Sequence, residues 1–297
     1  MANLKEVRLR IASVSSTQQI TKAMKMVSAA KLRRAQNAIV QMRPYANKLK
    51  EILENLSQTL DSSDGGEYAA IRPLKNVLIV AITSNRGLAG AFNATIIRAV
   101  HRLLNEKYKD QAKAGGVRLL AIGKKASDTF SKNRNIFLGH HNEIFSDLNF
   151  EAASAIATQI MHEFKDGKYD EVVVVYNQFK NAAVQYVQTE QLLPIQPPAK
   201  KAGKESKTAM KKDYIFEPSK EEIVKELIPK SIKIQLYKAL LDSHASEHGA
   251  RMTAMSKATD NAGELIKSLR LSYNKARQAA ITNEILEIVA GAEALAG

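Results

Sequence analysis

Stepping from Leu4 alternately by three and four residues meets Leu4, Val7, Ile11, Val14, Gln18, Thr21, Lys25, Ser28, Leu32, Ala35, Ile39, Met42, Ala46, Leu49, Leu53, Leu56 and Leu60. Thirteen of these 17 positions are apolar, where a 45% hydrophobic chain would give about eight by chance. The phase never breaks, and the first glycine is Gly65. A heptad sustained this long predicts a coiled-coil helix over residues 1–60, roughly 90 Å long at 1.5 Å per residue. Pro44 is expected to kink that helix or to end one of its segments. A narrow apolar stripe on a long helix is stable only against a partner, so the pattern demands a second element.

Between Gln18 and Ser28 the seam turns polar, while Ile20, Met24 and Val27 shift the apolar stripe about one position around the helix. Either the seam repacks locally, or this stretch faces a different partner from the rest. The charge is also uneven. The whole chain carries +14, and residues 1–60 hold 11 Lys or Arg against Glu6, Glu51 and Glu54. Residues 220–297 are nearly neutral, with 11 basic and 10 acidic side chains. A basic face with Lys22, Lys25, Lys31, Arg33 and Arg34 suits an acidic protein surface or nucleic acid. Tyr45 is the segment's only aromatic residue, which gives little for base stacking.

After a turn at Asp61–Glu67 the period changes. Strands are expected at Val77–Thr83, Val117–Ile122, Ile136–Leu138 and Val172–Tyr176, with an edge strand at Val184–Leu193. Helices are expected over Ala91–Tyr108, Lys124–Lys132 and Leu148–Lys165. Alternating strands and helices imply βαβ units and a mostly parallel sheet. The segment 70–194 therefore reads as a Rossmann-like α/β domain. Residues 195–218 form a basic, proline-bearing linker, and helical periodicity resumes over 219–297. There Ile281, Ile285, Ile288, Ala292 and Leu295 step by four and three and are expected to be a buried stripe. Two long amphipathic helices at opposite ends of one chain most simply cover each other, as an antiparallel pair. The fold class is thus α/β with a long antiparallel coiled coil.

Few motifs point to chemistry. The chain has no cysteine, which removes disulfides, thiolate zinc sites and cysteine nucleophiles. Ser84–Gly90 sits between a strand and a helix, but the dinucleotide register would put Gly87, Ala89 and Phe92 where three glycines belong, and no P-loop Gly-Lys-Ser/Thr follows. His244-Ala-Ser-Glu247-His248 has the H-x-x-E-H spacing of a zinc-protease motif, with both histidines on one helix face. It lies in a long amphipathic helix without an evident third ligand, so it is expected to be exposed or seam-edge polar residues. No enzyme activity and no cofactor are expected, and no run approaches the length of a membrane-spanning helix.

Two stretches carry a resemblance. One runs from Ile11-Ala12-Ser13-Val14 through Thr17-Gln18-Gln19-Ile20-Thr21-Lys22-Ala23-Met24-Lys25-Met26-Val27, with Arg43-Pro44-Tyr45 beyond it. The other holds Glu247-His248-Gly249-Ala250-Arg251-Met252, Ala258-Thr259-Asp260-Asn261-Ala262 and Asn274-Lys275-Ala276-Arg277-Gln278-Ala279-Ala280-Ile281-Thr282-Asn283-Glu284-Ile285. These resemble the terminal signatures of the gamma subunit of F-type ATP synthases, with the Arg86-Gly87-Leu88 turn and the segment order in agreement.

The resemblance implies a non-catalytic rotor shaft, coupling proton-driven rotation of a membrane ring to ATP synthesis at beta-subunit sites. It implies alpha, beta and epsilon subunits and the c-subunit ring as partners, and no nucleic acid. Met24 and Lys25 would meet an acidic beta-subunit segment. Arg277, Gln278 and Thr282 would meet a beta-subunit loop, and Tyr214 and Glu217 would meet epsilon and the ring. His248 stands where the family commonly has glutamine. With no organelle presequence, the expected place is the cytoplasmic side of a bacterial membrane, as a peripheral protein. The competing readings are a basic coiled-coil scaffold or nucleic-acid-binding protein, and a Rossmann-type enzyme with helical extensions.

Overall fold

The strands Val77–Ile82 (β1), Val117–Ile122 (β2) and Glu171–Phe179 (β4) are runs of Val, Ile and Leu with scarcely a polar face, as strands covered on both sides must be. With Phe137–His140 (β3) and Gln185–Leu193 (β5) they form one sheet in the order β3-β2-β1-β4-β5. In this computed structural model, which describes residues 4–57, 67–70, 72–195 and 220–296, β1 pairs parallel with both β2 and β4. Val77 lies opposite Val117 on one side and Glu171 on the other. Strand β5 is antiparallel to β4, with Val175 opposite Thr189, and forms an edge.

Among the described residues there are six α-helices: Leu4–Ser57 (α1), Phe92–Arg102 (α2), Lys109–Lys113 (α3), Lys124–Phe130 (α4), Phe150–Lys165 (α5) and Lys220–Ala296 (α6). The expected order of long helix, α/β domain and long helix is the one observed. The chain divides into two units, Met1–Ala29 with Arg251–Gly297, and Ala30–Ala250. The Asp61–Glu67 turn except Glu67, and the 195–218 linker except Ile195, lie outside the described residues.

In the larger unit, alternate strand residues feed two cores. Ile79, Ala81, Leu119, Ala121 and Val173 pack on Ile96 and Val100 of α2 and Phe130 of α4. Leu78, Val80, Ile82, Val172 and Val174 face the other way, onto Ile156, Ile160 and Phe164 of α5. Ile232, Leu236 and Leu240 of α6 join that second core. Burial of these side chains, at roughly 1.5–3 kcal/mol each, fixes α6 to the domain as firmly as its own helices. Helix α1 continues through Pro44, neither ended nor divided there. Ala35, Ile39 and Leu49 are buried on either side of it, so packing offsets the one backbone bond that proline removes.

One helix departs from its expected course. In place of a single helix over Ala91–Tyr108, α2 gives way to a π-helical turn at Leu103–Lys107, closed by the Tyr108 N–H donating to Leu103 O at 2.8 Å. The widened turn accompanies full burial of Tyr108. The Lys107 ammonium donates to its hydroxyl at 2.7 Å and to Glu171 at 2.8 Å. At Gly123, φ is 107° and an added Cβ would sit 2.1 Å from Thr83 O, so only glycine fits between β2 and α4.

Candidate functional site

In the smaller unit, α1 and α6 run side by side and antiparallel. Thr21 Oγ1 lies 2.8 Å from Thr259 Oγ1, Gln18 Nε2 donates to Thr259 O at 3.3 Å, and Lys25 Nζ donates to Ser256 Oγ at 3.0 Å. Residue numbers rise on one helix as they fall on the other. Thr21 Oγ1 also reaches Gln18 O, and Thr259 Oγ1 donates to Met255 O, so both hydroxyls are satisfied inside the seam. Gly263 leaves room here: a Cβ on it would come within 3.0 Å of Gln18 Nε2.

This settles how the polar stretch packs. The three-four phase holds at Thr21 and Ser28 (3% exposed), which are buried, and shifts by one position only between them, where Met24 is half-buried; Ile20 (58%), Val27 (57%) and Met26 lie outside the seam. Paired hydroxyls fill the seam because each gives the other a partner, and the apolar side chains that would have replaced them face outward. Met24 is half-buried and Lys25 is exposed, its ammonium tied to Ser256.

Towards the end of α6 the seam continues through Met255, Thr259, Ala262 and Ile266, then half-buried Leu269, Tyr273, Ala276 and Ala280. From Ile281 to Ala294 every residue is exposed, Ile288 at 70%. The stripe Ile281, Ile285, Ile288 and Ala292 is therefore not buried in this chain, and the side chain of Leu295 lies outside the described residues. The reason is register. Carrying the Thr21–Thr259 pairing back along α1 brings Leu4 opposite about Ala276, and the first described residue is Leu4. Arg277, Gln278 and Thr282 stand at this transition, exposed, with Thr282 Oγ1 donating to Gln278 O at 2.9 Å. Tyr214 and Glu217 lie outside the described residues. Lys22, Lys31, Arg33 and Arg34 are exposed, each within its own unit.

The Ser84–Gly90 turn spends its polar groups internally. The Ser84 N–H and Oγ both bond Asn93 Oδ1 at 3.0 Å, Asn85 Nδ2 donates to Asn142 O, and Asn85 Oδ1 accepts the Lys124 N–H. Leu88 takes φ 61° and is exposed, a strained conformation for a branched side chain. At the carboxyl end of β4, beside the switch point between β1 and β4 where doubly wound folds take their ligands, α6 packs directly. Ser246 Oγ donates to Asn177 O at 2.9 Å, and a Cβ on Gly249 would lie 3.2 Å from Ala182 Cα.

Of the histidines of the H-x-x-E-H motif, His244 is partly exposed and His248 is buried. His248 is 5% exposed and Glu247 is buried, because this length of α6 is covered nearly all round by the domain. His248 Nε2 lies 3.1 Å from His244 Nε2, and the His244 ring stacks on Phe145 at 6.0 Å. Among the described residues no group of three or more His, Cys, Asp or Glu is arranged to hold a metal.

Asp242, which sequence reasoning did not single out, is also buried here. Burial pushes its carboxyl up to about 6. Lys238 and Arg43 pull it down, Glu190 pushes it up, and the backbone N–H of Phe179 pulls it down. Glu190 in turn accepts the Tyr176 hydroxyl at 2.7 Å. The available signal was the pair Lys238 and Asp242, opposite charges one turn apart on an otherwise largely apolar length of helix.

The chain matches the ATP synthase family model described as "ATP synthase" over residues 3–295. It is 62% identical to the ATP synthase gamma chain of Christiangramia forsetii and 60% identical to that of Flavobacterium johnsoniae, covering all of both chains in each case. Among solved structures, it is similar to a chain in the Tetrahymena thermophila mitochondrial ATP synthase central stalk and c-ring. That likeness has TM-score 0.58 and 29% identity, and covers 80% of this chain and 99% of that one. A chain of the Euglena gracilis mitochondrial ATP synthase in rotational state 3 shares the fold at TM-score 0.67 and 21% identity, over 98% of this chain and 94% of that one.

Proposed function

The chain belongs to the ATP synthase gamma chain family, and on that premise we propose that it is the central rotor shaft of an F-type ATP synthase. It is not itself catalytic; the nucleotide sites lie on the beta subunits. Rotation of the membrane ring turns the shaft, and contacts that differ with angle drive each beta site through different affinities. Coupling of this kind needs differential contacts in each state, supplied by a stiff element with unlike faces.

The observation that carries this reading is the end of α6. A two-helix seam with satisfied polar pairs gives way to a single helix whose apolar residues, Ile281, Ile285, Leu286, Ile288 and Val289, are all exposed. Exposed apolar surface on this scale marks a protein contact, as a surrounding alpha and beta head would make. Arg277, Gln278 and Thr282 border that surface and would meet a beta-subunit loop. Met24 and Lys25, beside the outward-facing Ile20, Met26 and Val27, would meet an acidic beta-subunit segment. Tyr214 and Glu217 are proposed to contact the epsilon subunit and the c-ring. In functional terms the chain divides into shaft helices at 1–60 and 219–297, a foot at 70–194 and a linker at 195–218.

The complex is membrane-associated, and no helix among the described residues is long and apolar enough to cross a membrane. The chain is therefore a peripheral subunit, and we place it on the cytoplasmic side of a bacterial membrane. The test is reconstitution with alpha, beta, epsilon and a membrane sector. Co-assembly at fixed stoichiometry and ATP-driven ion pumping that requires this chain are expected. Pumping at full rate in its absence would overturn the assignment.

A further inference from the structure

The charge of the α/β domain is divided by its sheet. Residues 91–134 hold ten Lys or Arg against Glu106, Asp110 and Asp128, a net of +7, which is half of the chain's +14. These residues supply α2, α3 and α4, and Ile96, Val100, Ala112 and Phe130 pack all three helices on the same side of the sheet. On the other side, α5 and the loop before it (residues 139–165) hold Glu143, Asp147, Glu151 and Glu163 against Lys165. In the first layer Arg98, Arg102, Lys109, Lys113, Lys124 and Lys132 are exposed. Arg98 and Arg102 stand one turn apart on α2, and Lys109 and Lys113 one turn apart on α3, an arrangement in which like charges repel. Among the described residues, only Lys107 of this layer is held in an ion pair, with Glu171 at 2.8 Å.

The same surface lacks an apolar anchor. Phe92, Tyr108 and Phe130 are buried, and among the described residues between 91 and 134 no large apolar side chain is exposed. A specific protein contact centres on desolvated aromatic or aliphatic groups, and single-stranded nucleic acid is held by exposed aromatics. A planar, polyanionic surface needs neither, because each Lys or Arg gains separately from the negative surface potential. We propose that the outer side of the α2–α3–α4 layer is a membrane-facing surface for anionic phospholipid headgroups, which concentrates the free chain where its membrane-associated complex assembles. The choice of lipid over another polyanion rests on the membrane-associated complex inferred above. Attraction of this kind reaches only about 8 Å at physiological salt, so it fades as ionic strength rises.

The experiment sediments the purified full-length chain with vesicles of phosphatidylcholine and phosphatidylglycerol in equal parts, and with vesicles of phosphatidylcholine alone. Binding to the first and not to the second is expected, with loss as salt is raised. Each basic side chain at an anionic surface is worth roughly fivefold, so the variant carrying Arg98→Gln, Arg102→Gln, Lys109→Gln and Lys113→Gln should bind at least about a hundredfold more weakly. Lys124→Gln with Lys132→Gln, on the same layer, should weaken binding about tenfold or more and keeps the test valid if the first variant does not fold. A change of equal charge on exposed positions of α1, Lys22→Gln, Lys31→Gln, Arg33→Gln and Arg34→Gln, should weaken it far less. An equal or larger loss with the α1 variant overturns the proposal. So does binding insensitive to both layer variants, no binding to the anionic vesicles, or tighter binding to duplex DNA than to those vesicles. Vesicle binding is read on the chain alone, so its failure overturns the lipid surface and leaves the co-assembly result, which tests the shaft reading, untouched.

Discussion

Asp242 is the residue whose chemistry is most out of keeping with its surroundings. Its carboxyl is held at about 6 in the folded chain against 3.8 when free, so the folded form binds the proton more tightly than the unfolded form. That favourable contribution is complete below about pH 4, fades as pH rises through about 6, and leaves a penalty at pH 7. Asp242→Asn is expected to raise stability at pH 7 by about 1–3 kcal/mol, with the gain disappearing towards pH 4. Chemical denaturation at several pH values reads this directly, and a pH-independent difference would contradict it. Gln278 and Thr282 are the opposite case. Both are exposed, so Gln278→Ala and Thr282→Ala should leave the isolated chain within about 0.5 kcal/mol of the parent. The same pair of changes should slow ATP turnover of the assembled complex. Parental turnover and pumping by the double variant would remove them from the contact surface.

At the scale of the element, the α1–α6 seam makes two predictions. Thr21→Val alone removes the contact between the two hydroxyls and leaves the Thr259 hydroxyl only its bond to Met255 O, and is expected to cost about 0.5–1.5 kcal/mol. Adding Thr259→Val should recover part of that loss, giving a measurable coupling in a double-mutant cycle. Strict additivity would mean the hydroxyls do not face each other. The register also fixes which cysteines can bridge. A cysteine at Ile11 should cross-link within one chain to a cysteine at Leu269. A cysteine at Ile281, twelve residues further on and about 18 Å away along the helix, should not. The heptad period already placed Ile11 on the paired face of its helix. Its partner was not legible, because a repeat of seven looks the same after every shift of seven.

For the whole molecule, stability is unevenly distributed. In the isolated chain, residues 281–294 are all exposed and their amides should exchange at fraying rates, while those of β1 and β4 open only with global unfolding. Assembly with the alpha and beta subunits should protect the first group strongly, and unchanged exchange there would argue against a surrounding partner. Reversing Lys22, Lys25 and Lys31 to Glu tests the basic face in the same assembly. Exposed charges contribute little each to stability, so helix content should persist while coupling of hydrolysis to pumping weakens.

Several features follow from the sequence alone: the long terminal helices, the central run of strands and helices, and the seam positions from Val7 to Leu49. Each is a local period, and a period of 3.5 or 2 is written into consecutive residues whatever they later touch. Burial is a relation between segments, and only the tertiary structure decided it. The polar Thr21 and Ser28 are inside because α6 supplies partners there. The apolar Ile281, Ile285 and Ile288 are outside because, among the described residues, no partner helix runs that far. His244 and His248 read as exposed or seam-edge residues of an amphipathic helix until the α/β domain closed around this stretch, which buries His248 and leaves His244 partly exposed.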